Sequence, residues 1–201
     1  MAGVFGISRH RICVDGKGIT TLVVVHGCPL DCKYCLNPQC HEESGKIKSL
    51  SAGQLYDVVK KDSLYFLATG GGVTFGGGEP LLHHDFIKSF KALCNDEWCI
   101  NLETSLYAPT NIVLELAPII DHWIIDIKDT NNEVYKAYTG KDNLLVKSNL
   151  MELIKLGANI TVRVPHIPNF NTPDDVARSI SELKEMGVTD IDEFTYTIRQ
   201  R

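Results

Sequence analysis

The chain contains the run Thr20-Thr21-Leu22-Val23-Val24-Val25-His26-Gly27-Cys28-Pro29-Leu30-Asp31-Cys32-Lys33-Tyr34-Cys35. The part from Thr20 to His26 is β-branched and nearly continuously apolar, which predicts a buried strand of a parallel sheet. The loop that follows carries three cysteines, spaced by three residues and then by two. Thiolates normally hold iron–sulfur clusters one per iron. Three of them would therefore leave one iron of a four-iron cluster free to bind a small molecule.

A zinc site is the alternative interpretation of these cysteines, with Cys40 or His41 as a fourth ligand. Zinc sites usually pair their ligands as two separated dyads, and the sequence has no second dyad. The iron–sulfur interpretation is therefore favoured. Thiolates in so small a loop would also be sensitive to oxygen.

Length and composition predict a single domain spanning 1–201, since the 201-residue chain is 44% hydrophobic. A net charge of −5 without a basic stretch argues against a nucleic-acid partner. No apolar run is long enough to cross a bilayer, and the first residues lack the apolar core of a signal peptide. We therefore expect a cytoplasmic protein. In a reducing compartment, seven cysteines favour metal or redox chemistry over disulfides.

Short β-rich runs alternate with helical patterns along the rest of the chain. The further predicted strands are Val73–Phe75, Cys99–Glu103, His122–Ile127, Asn159–Val164 and Ile191–Ile198. Helix signals include a capping box at Ser51, a helical pattern over Asn143–Leu156 and a cap at Thr172. This alternation predicts an α/β fold, with about six βα units in a partial barrel or an open parallel sheet. Functional groups in such folds gather at the carboxyl ends of the strands.

A glycine run, Phe75-Gly76-Gly77-Gly78-Glu79-Pro80, directly follows the second of these parallel strands. Glycines allow close approach of a ligand because they lack a Cβ atom. Their carbonyls and the Glu79 carboxylate could accept hydrogen bonds from an ammonium group. A plain strand-to-helix turn is the alternative interpretation.

Charged residues end the next three strands. Glu103-Thr104 follows one strand, and Asp126 and Lys128 lie two residues apart, so that they share one face of the next. A buried ion pair is the alternative interpretation of those two residues. Arg163 lies late in the following strand, where an inward arginine needs an anionic partner, and a ligand carboxylate would satisfy it bidentately. An exposed position at the sheet edge is the alternative for Arg163.

Together these motifs resemble the radical S-adenosylmethionine (SAM) enzymes that activate glycyl radical enzymes, in particular the pyruvate formate-lyase activase type. The resemblance extends from about Phe5 to about Phe194 and includes Asp15 to Thr21, which is similar to the Asp-Gly-Pro-Gly segment that opens these proteins. It implies an α/β fold of the partial (β/α)6 barrel of the radical SAM type. With Cys40 as the one cysteine between the cysteine loop and the glycine run, it implies a single cluster.

The resemblance also implies a role for each motif. The [4Fe-4S] cluster would be held by Cys28, Cys32 and Cys35, and a monovalent cation by Glu103 and Asp126. Asp15 would lie near the open end, where the partner's glycine loop enters. The residues that would bind SAM are Tyr34, Gly76, Gly77, Gly78, Glu79, Thr104, Asp126, Lys128 and Arg163.

The implied activity is that of an anaerobic oxidoreductase. A reduced cluster gives one electron to SAM, and the resulting 5′-deoxyadenosyl radical takes a hydrogen atom from a glycine of a partner glycyl radical enzyme. A flavodoxin or ferredoxin would supply the electron. The alternatives are a radical SAM enzyme acting on a small molecule, an anaerobic ribonucleotide reductase activase, and a metal-binding module without catalysis.

The chain departs from the family pattern at four places. Leu36 stands where a histidine is expected, Glu103 where an aspartate is expected, and Lys17 where a proline is expected. The segment Thr195–Thr197 replaces a Pro-Tyr-His run that often contacts SAM. None of these changes removes a predicted cluster ligand.

Overall fold

The computed structural model describes residues 1–42, 47–94 and 97–196 of the chain. These residues form one sheet of eight strands in the order β3-β1-β2-β4-β5-β6-β7-β8. The strands are β1 (Ala2–Ile12), β2 (Ile19–Val25), β3 (Lys48–Leu50), β4 (Gly72–Gly77), β5 (Cys99–Thr104), β6 (His122–Asp126), β7 (Ile160–His166) and β8 (Ile191–Thr195).

Six of the strands, β2 and β4 to β8, run parallel, and each pairs with the next along the chain. They are the six strands that the sequence pattern predicts. Since crossovers between parallel strands are right-handed, this sequential order places the helices on one face and curls the sheet into an open barrel. The predicted α/β class and partial (β/α)6 barrel are confirmed.

Helices cover the outer face between the strands. They are α1 (Ala52–Val59), α2 (Ser63–Thr69), α3 (His84–Lys91), α4 (Thr110–Leu116), α5 (Asn132–Thr139), α6 (Leu144–Lys155) and α7 (Pro173–Glu185). The predicted capping box at Ser51 is present, with reciprocal bonds to Gln54, and Thr172 forms a second one with Asp175. The sequence pattern did not predict α2, α4 and α5, which are seven or eight residues long. None of the described helices is long and apolar enough to cross a membrane.

Strand β1 was not predicted from the sequence. It pairs antiparallel with β2, from Val4 opposite Val25 to Ile12 opposite Ile19, with irregularities in the register on the way. Its second half is polar and largely exposed, which hides the alternation expected of a strand. The β1–β2 connection carries Asp15 back to the sheet, so this missed strand helps to position a predicted site residue.

Two of the strand boundaries that differ from those predicted concern the site. Strand β4 continues through Gly77, so Gly76 and Gly77 belong to the strand rather than to the turn after it. Strand β8 ends at Thr195, whereas the pattern predicted it to Ile198, and residues 197–201 lie outside the described part of the chain. Close packing accompanies the first difference, because the end of β4 lies against β2 where a side chain would not fit. A Cβ atom on Gly77 would lie 2.3 Å from Val24 Cγ1.

Candidate functional site

One cavity of about 420 Å³ opens at the carboxyl ends of the parallel strands. This volume lies within the usual range of small-molecule sites. The predicted site residues that line it are Asp15, Cys28, Cys32, Cys35, Gly77, Gly78, Glu79, Glu103, Thr104, Asp126, Lys128 and Arg163. The fold therefore brings almost all of the sequence-predicted residues to one place, while Gly76 and Tyr34 lie outside the cavity wall.

The cysteine loop is anchored to helix α5 by two backbone hydrogen bonds. The Asp31 amide donates to the Thr139 carbonyl at 2.9 Å, and the Lys33 amide donates to the Tyr138 carbonyl at 3.1 Å. Cys28, Cys32 and Cys35 are unpaired and partly exposed. The loop thus presents three thiols to the cavity from a fixed backbone.

Two of these thiols, those of Cys28 and Cys32, have an environment that favours the protonated form. Burial raises the pKa of Cys28 to about 12. Burial also raises the pKa of Cys32, against the opposing effect of the Lys128 ammonium. Because a metal binds the thiolate, a cation must displace these protons when it binds.

The donor set fits an iron–sulfur cluster. Cys28, Cys32 and Cys35 share one cavity wall, and a four-iron cluster takes one thiolate per iron. Cys40, the alternative fourth ligand, is buried with its Sγ 3.4 Å from the Val25 carbonyl oxygen, and it is not part of the cavity wall.

The end of β4 packs directly against the segment that leads into the cysteine loop. The Gly78 amide donates to the Val25 carbonyl at 3.1 Å, and the Glu79 amide donates to the Gly27 carbonyl at 2.8 Å. A Cβ atom on Gly78 would lie 2.3 Å from the Gly27 carbonyl oxygen, and Gly77 has a left-handed φ of +89°. These glycines are therefore required by the packing of the protein itself, in addition to any ligand.

The Glu79 carboxylate is buried and surrounded by four donors. Oε1 accepts from the Thr104 hydroxyl at 2.6 Å and from the Leu81 amide at 3.2 Å. Oε2 accepts from the Ser105 hydroxyl at 2.6 Å and from the Ser105 amide at 2.9 Å. Burial nevertheless raises the pKa of Glu79, because its donors are neutral. Glu79 therefore ties the end of β4 to the end of β5.

Opposite this turn, the ends of β5, β6 and β7 carry four charged side chains, which we call the charged strip: Glu103, Asp126, Lys128 and Arg163. Arg163 bridges the two acids, with Nε 2.8 Å from Asp126 Oδ1 and Nη1 2.9 Å from Glu103 Oε1. Lys128 Nζ lies 3.1 Å from Asp126 Oδ2 and 5.9 Å from the centre of the Tyr196 ring. The Asp126–Lys128 ion pair is thus present and also forms part of the cavity wall.

The charged strip is nearly neutral as a whole, but its members differ. Burial would raise the pKa of Asp126, yet Lys128 and Arg163 outweigh it and hold this pKa at about 2. For Glu103 burial is the larger effect, and its pKa is raised although Arg163 opposes this. The Arg163 side chain is 21% exposed, so it is not an exposed edge arginine.

Asp15 lies on the inner face of the sheet rather than on the surface. Its side chain is buried and accepts from Arg11, whose Nη2 is 2.8 Å from Oδ1. Its backbone carbonyl accepts from the Thr74 hydroxyl and, at 3.4 Å, from the Asn101 side chain. The β1–β2 connection therefore forms one wall of the cavity.

Tyr34 is in an aromatic cluster beside the cavity. Its hydroxyl accepts from Asn169 Nδ2 at 3.2 Å, and its ring packs edge-on against Tyr138 and Phe170. Sequence reasoning assigned no role to Ser105 or Arg11, which line the cavity as well. Ser105 directly follows the Glu103-Thr104 pair, and that position at a strand end was the signal that could have identified it.

Comparisons with known proteins agree with this geometry. A model of the Radical SAM superfamily matches residues 22–198. The (2S)-3-sulfopropanediol dehydratase activating enzyme of Klebsiella oxytoca is 30% identical, over 92% of this chain and 78% of that protein. The pyruvate formate-lyase-activating enzyme of Clostridium pasteurianum is 32% identical, over 85% and 71% of the two chains. A solved domain of the pyruvate-formate lyase-activating enzyme of Bacteroides vulgatus superposes with a TM-score of 0.53 at 26% identity, over 62% of this chain and 78% of that one.

Proposed function

The chain belongs to the radical SAM superfamily, and we propose that it is the activating enzyme of a glycyl radical enzyme. The curated relatives named as activating enzymes support this, because they match most of the chain at 30–32% identity. The alternatives of a small-molecule radical SAM enzyme, a ribonucleotide reductase activase and a non-catalytic metal module are not favoured by these relatives.

The cavity that joins the cysteine loop, the β4 turn and the charged strip is the observation that carries the proposal. Cys28, Cys32 and Cys35 would hold a [4Fe-4S] cluster, with SAM beside it. Together these two groups supply the reductive cleavage of SAM to methionine and a 5′-deoxyadenosyl radical, which takes a hydrogen atom from the partner's glycine. The protein contributes the positions of the groups and the exclusion of water.

The polar end of SAM would bind between the β4 turn and the charged strip. All four acceptor positions of Glu79 are used within the protein. We therefore assign the ammonium group to the backbone carbonyls of Gly77 and Gly78, which line the cavity, and assign Glu79 and Thr104 to holding that turn in place.

The carboxylate of SAM would be bound by Lys128 and Arg163. Lys128 Nζ has three donors and uses one of them on Asp126. Arg163 donates through Nε to Asp126 and through Nη1 to Glu103, which leaves three of its five N–H donors for a ligand. In our proposal both Lys128 and Arg163 contact the carboxylate, and Arg163 also holds Asp126 and Glu103 in position.

The sequence predicts two further contacts, which are part of the proposal. A monovalent cation bound by Glu103 and Asp126 would share both carboxylates with Arg163. Tyr34 would contribute to SAM binding from the aromatic cluster beside the cavity, at the position that follows Lys33 in the cysteine loop.

The partner's glycine loop would enter over the rim formed by Val14 and Leu36. These apolar side chains are 59% and 47% exposed and line the cavity mouth. Asp15, adjacent to Val14, would lie beneath the entering loop, with its carboxylate held by Arg11. A flavodoxin or ferredoxin as electron donor and a cytoplasmic location complete the proposal.

The experiment is an anaerobic assay of the protein reconstituted with iron and sulfide, reduced with dithionite and supplied with SAM. We expect 5′-deoxyadenosine from the wild type and none from Cys32→Ala, because the cluster loses a ligand. Cys99→Ala is the matched control, since Cys99 lies at the amino end of β5 with its Sγ 3.5 Å from the Gly70 carbonyl oxygen. Deoxyadenosine formation by Cys32→Ala at the wild-type rate would contradict the assignment.

The activating role needs a second measurement. The loaded protein is incubated with purified pyruvate formate-lyase or sulfopropanediol dehydratase and with the large protein encoded beside its own gene, and electron paramagnetic resonance is recorded. A glycyl radical that requires both SAM and this protein is the expected result. Turnover of SAM with consumption of a small molecule, and no radical on any of these proteins, would overturn it in favour of the small-molecule alternative.

A further inference from the structure

Strand β1 carries two arginines that lie two residues apart and face opposite sides of the sheet. Arg9 donates through Nε to the carboxylate of Asp62, 2.9 Å from Oδ2, in the turn between α1 and α2 on the outer face. Arg11 donates to Asp15, with Nη2 2.8 Å from Oδ1, on the wall of the cavity. Residues two apart on a regular strand share one face, so the strand must be irregular between them.

A β-bulge around His10 produces this change of side. Ser8 lies opposite Leu22 and Arg11 lies opposite Thr20, so β1 has one residue more than β2 over this stretch. His10 has a left-handed φ of +57°, which is uncommon for a residue other than glycine. Bulges redirect side chains and are frequent beside active sites. This bulge turns Arg11 into the cavity.

Contacts on the outer face hold the bulge in place. His10 Nε2 lies 3.1 Å from Asp62 Oδ1, and the His10 ring packs edge-on against Tyr65 with 4.7 Å between the ring centroids. Asp62 is fully buried and also accepts from the Thr21 hydroxyl at 2.8 Å. A left-handed conformation of a residue such as His10 costs free energy and persists only where the surrounding structure fixes it. The contacts that offset this cost keep Arg11 on the inner face.

Arg11 has hydrogen-bond donors beyond those that bind Asp15. Nε and Nη2 donate to the two carboxylate oxygens, which leaves three of the five N–H groups of the guanidinium. The Arg11 side chain is 32% exposed and lines the cavity, whereas the Asp15 side chain is buried. Because Asp15 already neutralises the guanidinium, a neutral acceptor such as a peptide carbonyl suits the remaining N–H groups better than a second carboxylate.

We propose that Arg11 binds the partner's glycine loop by donating hydrogen bonds to a backbone carbonyl beside the reactive glycine, and that Asp15 positions Arg11 for this contact. The inference rests on the activating role proposed above and names the residue that recognises the protein substrate. Val14 is 59% exposed and lines the same cavity, so the loop that crosses this rim passes Arg11. A contact to the backbone suits glycine, which offers no side chain.

The reaction breaks the glycine Cα–H bond and forms a C–H bond at the 5′ carbon of deoxyadenosine, so the radical passes to the glycine. Arg11 exchanges no proton and no electron in this step. Its contribution is to hold the glycine where the hydrogen atom can be taken.

The test measures transfer of deuterium from the partner's glycine to 5′-deoxyadenosine. The partner is the protein that acquires the radical in the assay above, produced with α-dideuterated glycine, and deoxyadenosine is analysed by mass spectrometry as the partner concentration is varied. For Arg11→Gln we expect the half-saturating concentration of the partner to rise about tenfold, because hydrogen bonds from a charged donor are lost. We expect no change in the Kd for SAM measured without the partner.

Arg9→Gln is the matched control, because it removes an arginine from a buried aspartate on the other face of the same strand. His10 and Thr21 still contact Asp62 in this variant. We expect Arg9→Gln to lower the free energy of unfolding as Arg11→Gln does, and to leave the half-saturating concentration at the wild-type value. An equal rise in both variants would show that destabilisation of β1 accounts for the effect, which would contradict the inference.

A double variant separates binding from folding. Arg11→Gln leaves the buried Asp15 carboxylate unpaired, so it is also combined with Asp15→Asn, because two neutral amides can hydrogen-bond to each other there. We expect the double variant to recover stability and to keep the tenfold rise. Return of the half-saturating concentration to the wild-type value would overturn the inference, since Arg11 would then only neutralise Asp15.

The remaining outcomes distinguish this inference from the proposed function. A weaker Kd for SAM in Arg11→Gln would overturn the inference, because Arg11 would then contact SAM. If no protein acquires a radical from the wild type, the proposed function fails. If the wild type transfers deuterium and Arg11→Gln does so with the same half-saturating concentration, this inference alone fails.

Discussion

The two sides of the cavity hold their carboxylates in opposite ways. On the β4 side, Glu79 is buried and accepts from two hydroxyls and two backbone amides. On the side of the charged strip, Asp126 is half-buried and accepts from the Arg163 guanidinium and the Lys128 ammonium. The pKa of Glu79 is raised, whereas that of Asp126 is lowered to about 2.

The comparison separates two functions of a carboxylate in a site. Neutral donors fix the position of Glu79 without compensating fully for its lost hydration. Cations compensate Asp126 and are themselves kept charged by it, so that Lys128 remains a donor toward a ligand. The β4 side is thus held rigid by the protein's own hydrogen bonds, whereas the charged strip keeps hydrogen-bond donors that a ligand can use.

The largest effect is expected for a substitution that disrupts the β4 side of the cavity. In Gly78→Ala the new Cβ atom would lie 2.3 Å from the Gly27 carbonyl oxygen and 2.7 Å from that of Val25. Both are backbone atoms, so the turn must move away from the cysteine loop. We expect the free energy of unfolding to fall by about 3 kcal/mol and the cluster content after reconstitution to fall with it, as measured by urea unfolding and iron analysis.

Gly53→Ala is the control for that change. Gly53 lies in α1, where the nearest atom to a new Cβ is Ser51 Oγ at 4.0 Å. Alanine in a helix is favoured over glycine, so we expect this variant to gain about 0.5–1 kcal/mol. Equal stability of the two variants would show that the β4 turn is not tightly packed.

The next largest effect is expected when the negative charge at the centre of the charged strip is removed. Asp126→Asn leaves Arg163 and Lys128 with fewer anionic partners, and we expect a loss of about 2 kcal/mol of stability at neutral pH, from the depressed pKa of Asp126. We also expect SAM to bind about tenfold more weakly, or about 1.4 kcal/mol, because Lys128 loses its fixed position. Calorimetry with the reconstituted protein measures the second effect, and cluster absorbance should not change. Loss of the cluster in this variant would contradict the separation of the two sides.

The pH dependence of stability tests the same pair of residues. The stability that Asp126 contributes is present above its unfolded pKa and is lost as the pH falls from about 4 to about 2. The raised pKa of Glu79 acts in the other direction, since its contribution is present at acid pH and is lost as the pH rises through the folded-state pKa. We expect urea unfolding of the reduced apo protein to show that Asp126→Asn removes the loss of stability at acid pH. The decline at higher pH, which comes from Glu79, should remain.

The smallest effect is expected for Glu79→Gln. The amide keeps the shape of the side chain but places an NH2 group against donors, and it also avoids the burial of a charge. We expect the free energy of unfolding to fall by about 1 kcal/mol at neutral pH. The decline in stability at higher pH should disappear, because the ionisable carboxylate is gone. A loss larger than that of Asp126→Asn, measured side by side, would reverse the ranking of the two carboxylates.

Much of this site could be predicted because it depends on local order along the chain. The β-branched run before Gly27 and the cysteine spacing specify a strand and a metal-binding loop in a single stretch of sequence. In a parallel sheet every strand ends at the same edge, so residues that follow strands, such as Glu79, Thr104 and Asp126, could be assigned to one place without knowledge of their contacts.

Strand β1 and its connection could not be predicted in the same way. Its polar second half gives no alternation, and its pairing with β2 depends on an antiparallel register that joins Val4 to Val25. Asp15 was expected near the open end, but no local pattern indicates that its carbonyl would bond to Thr74 and Asn101 on two other strands.

The order of the six parallel strands, the three thiols and the edge of the sheet at which the site lies could be inferred from the chain alone, because they follow from periodicity and spacing within short segments. Packing was needed to establish which acid meets which base, and that the acceptor positions of Glu79 are occupied by the protein's own donors. Those outcomes depend on distances between side chains far apart in the chain, such as the 2.9 Å between Arg163 and Glu103. Such distances are set when the strands pack side by side, and no single segment encodes them.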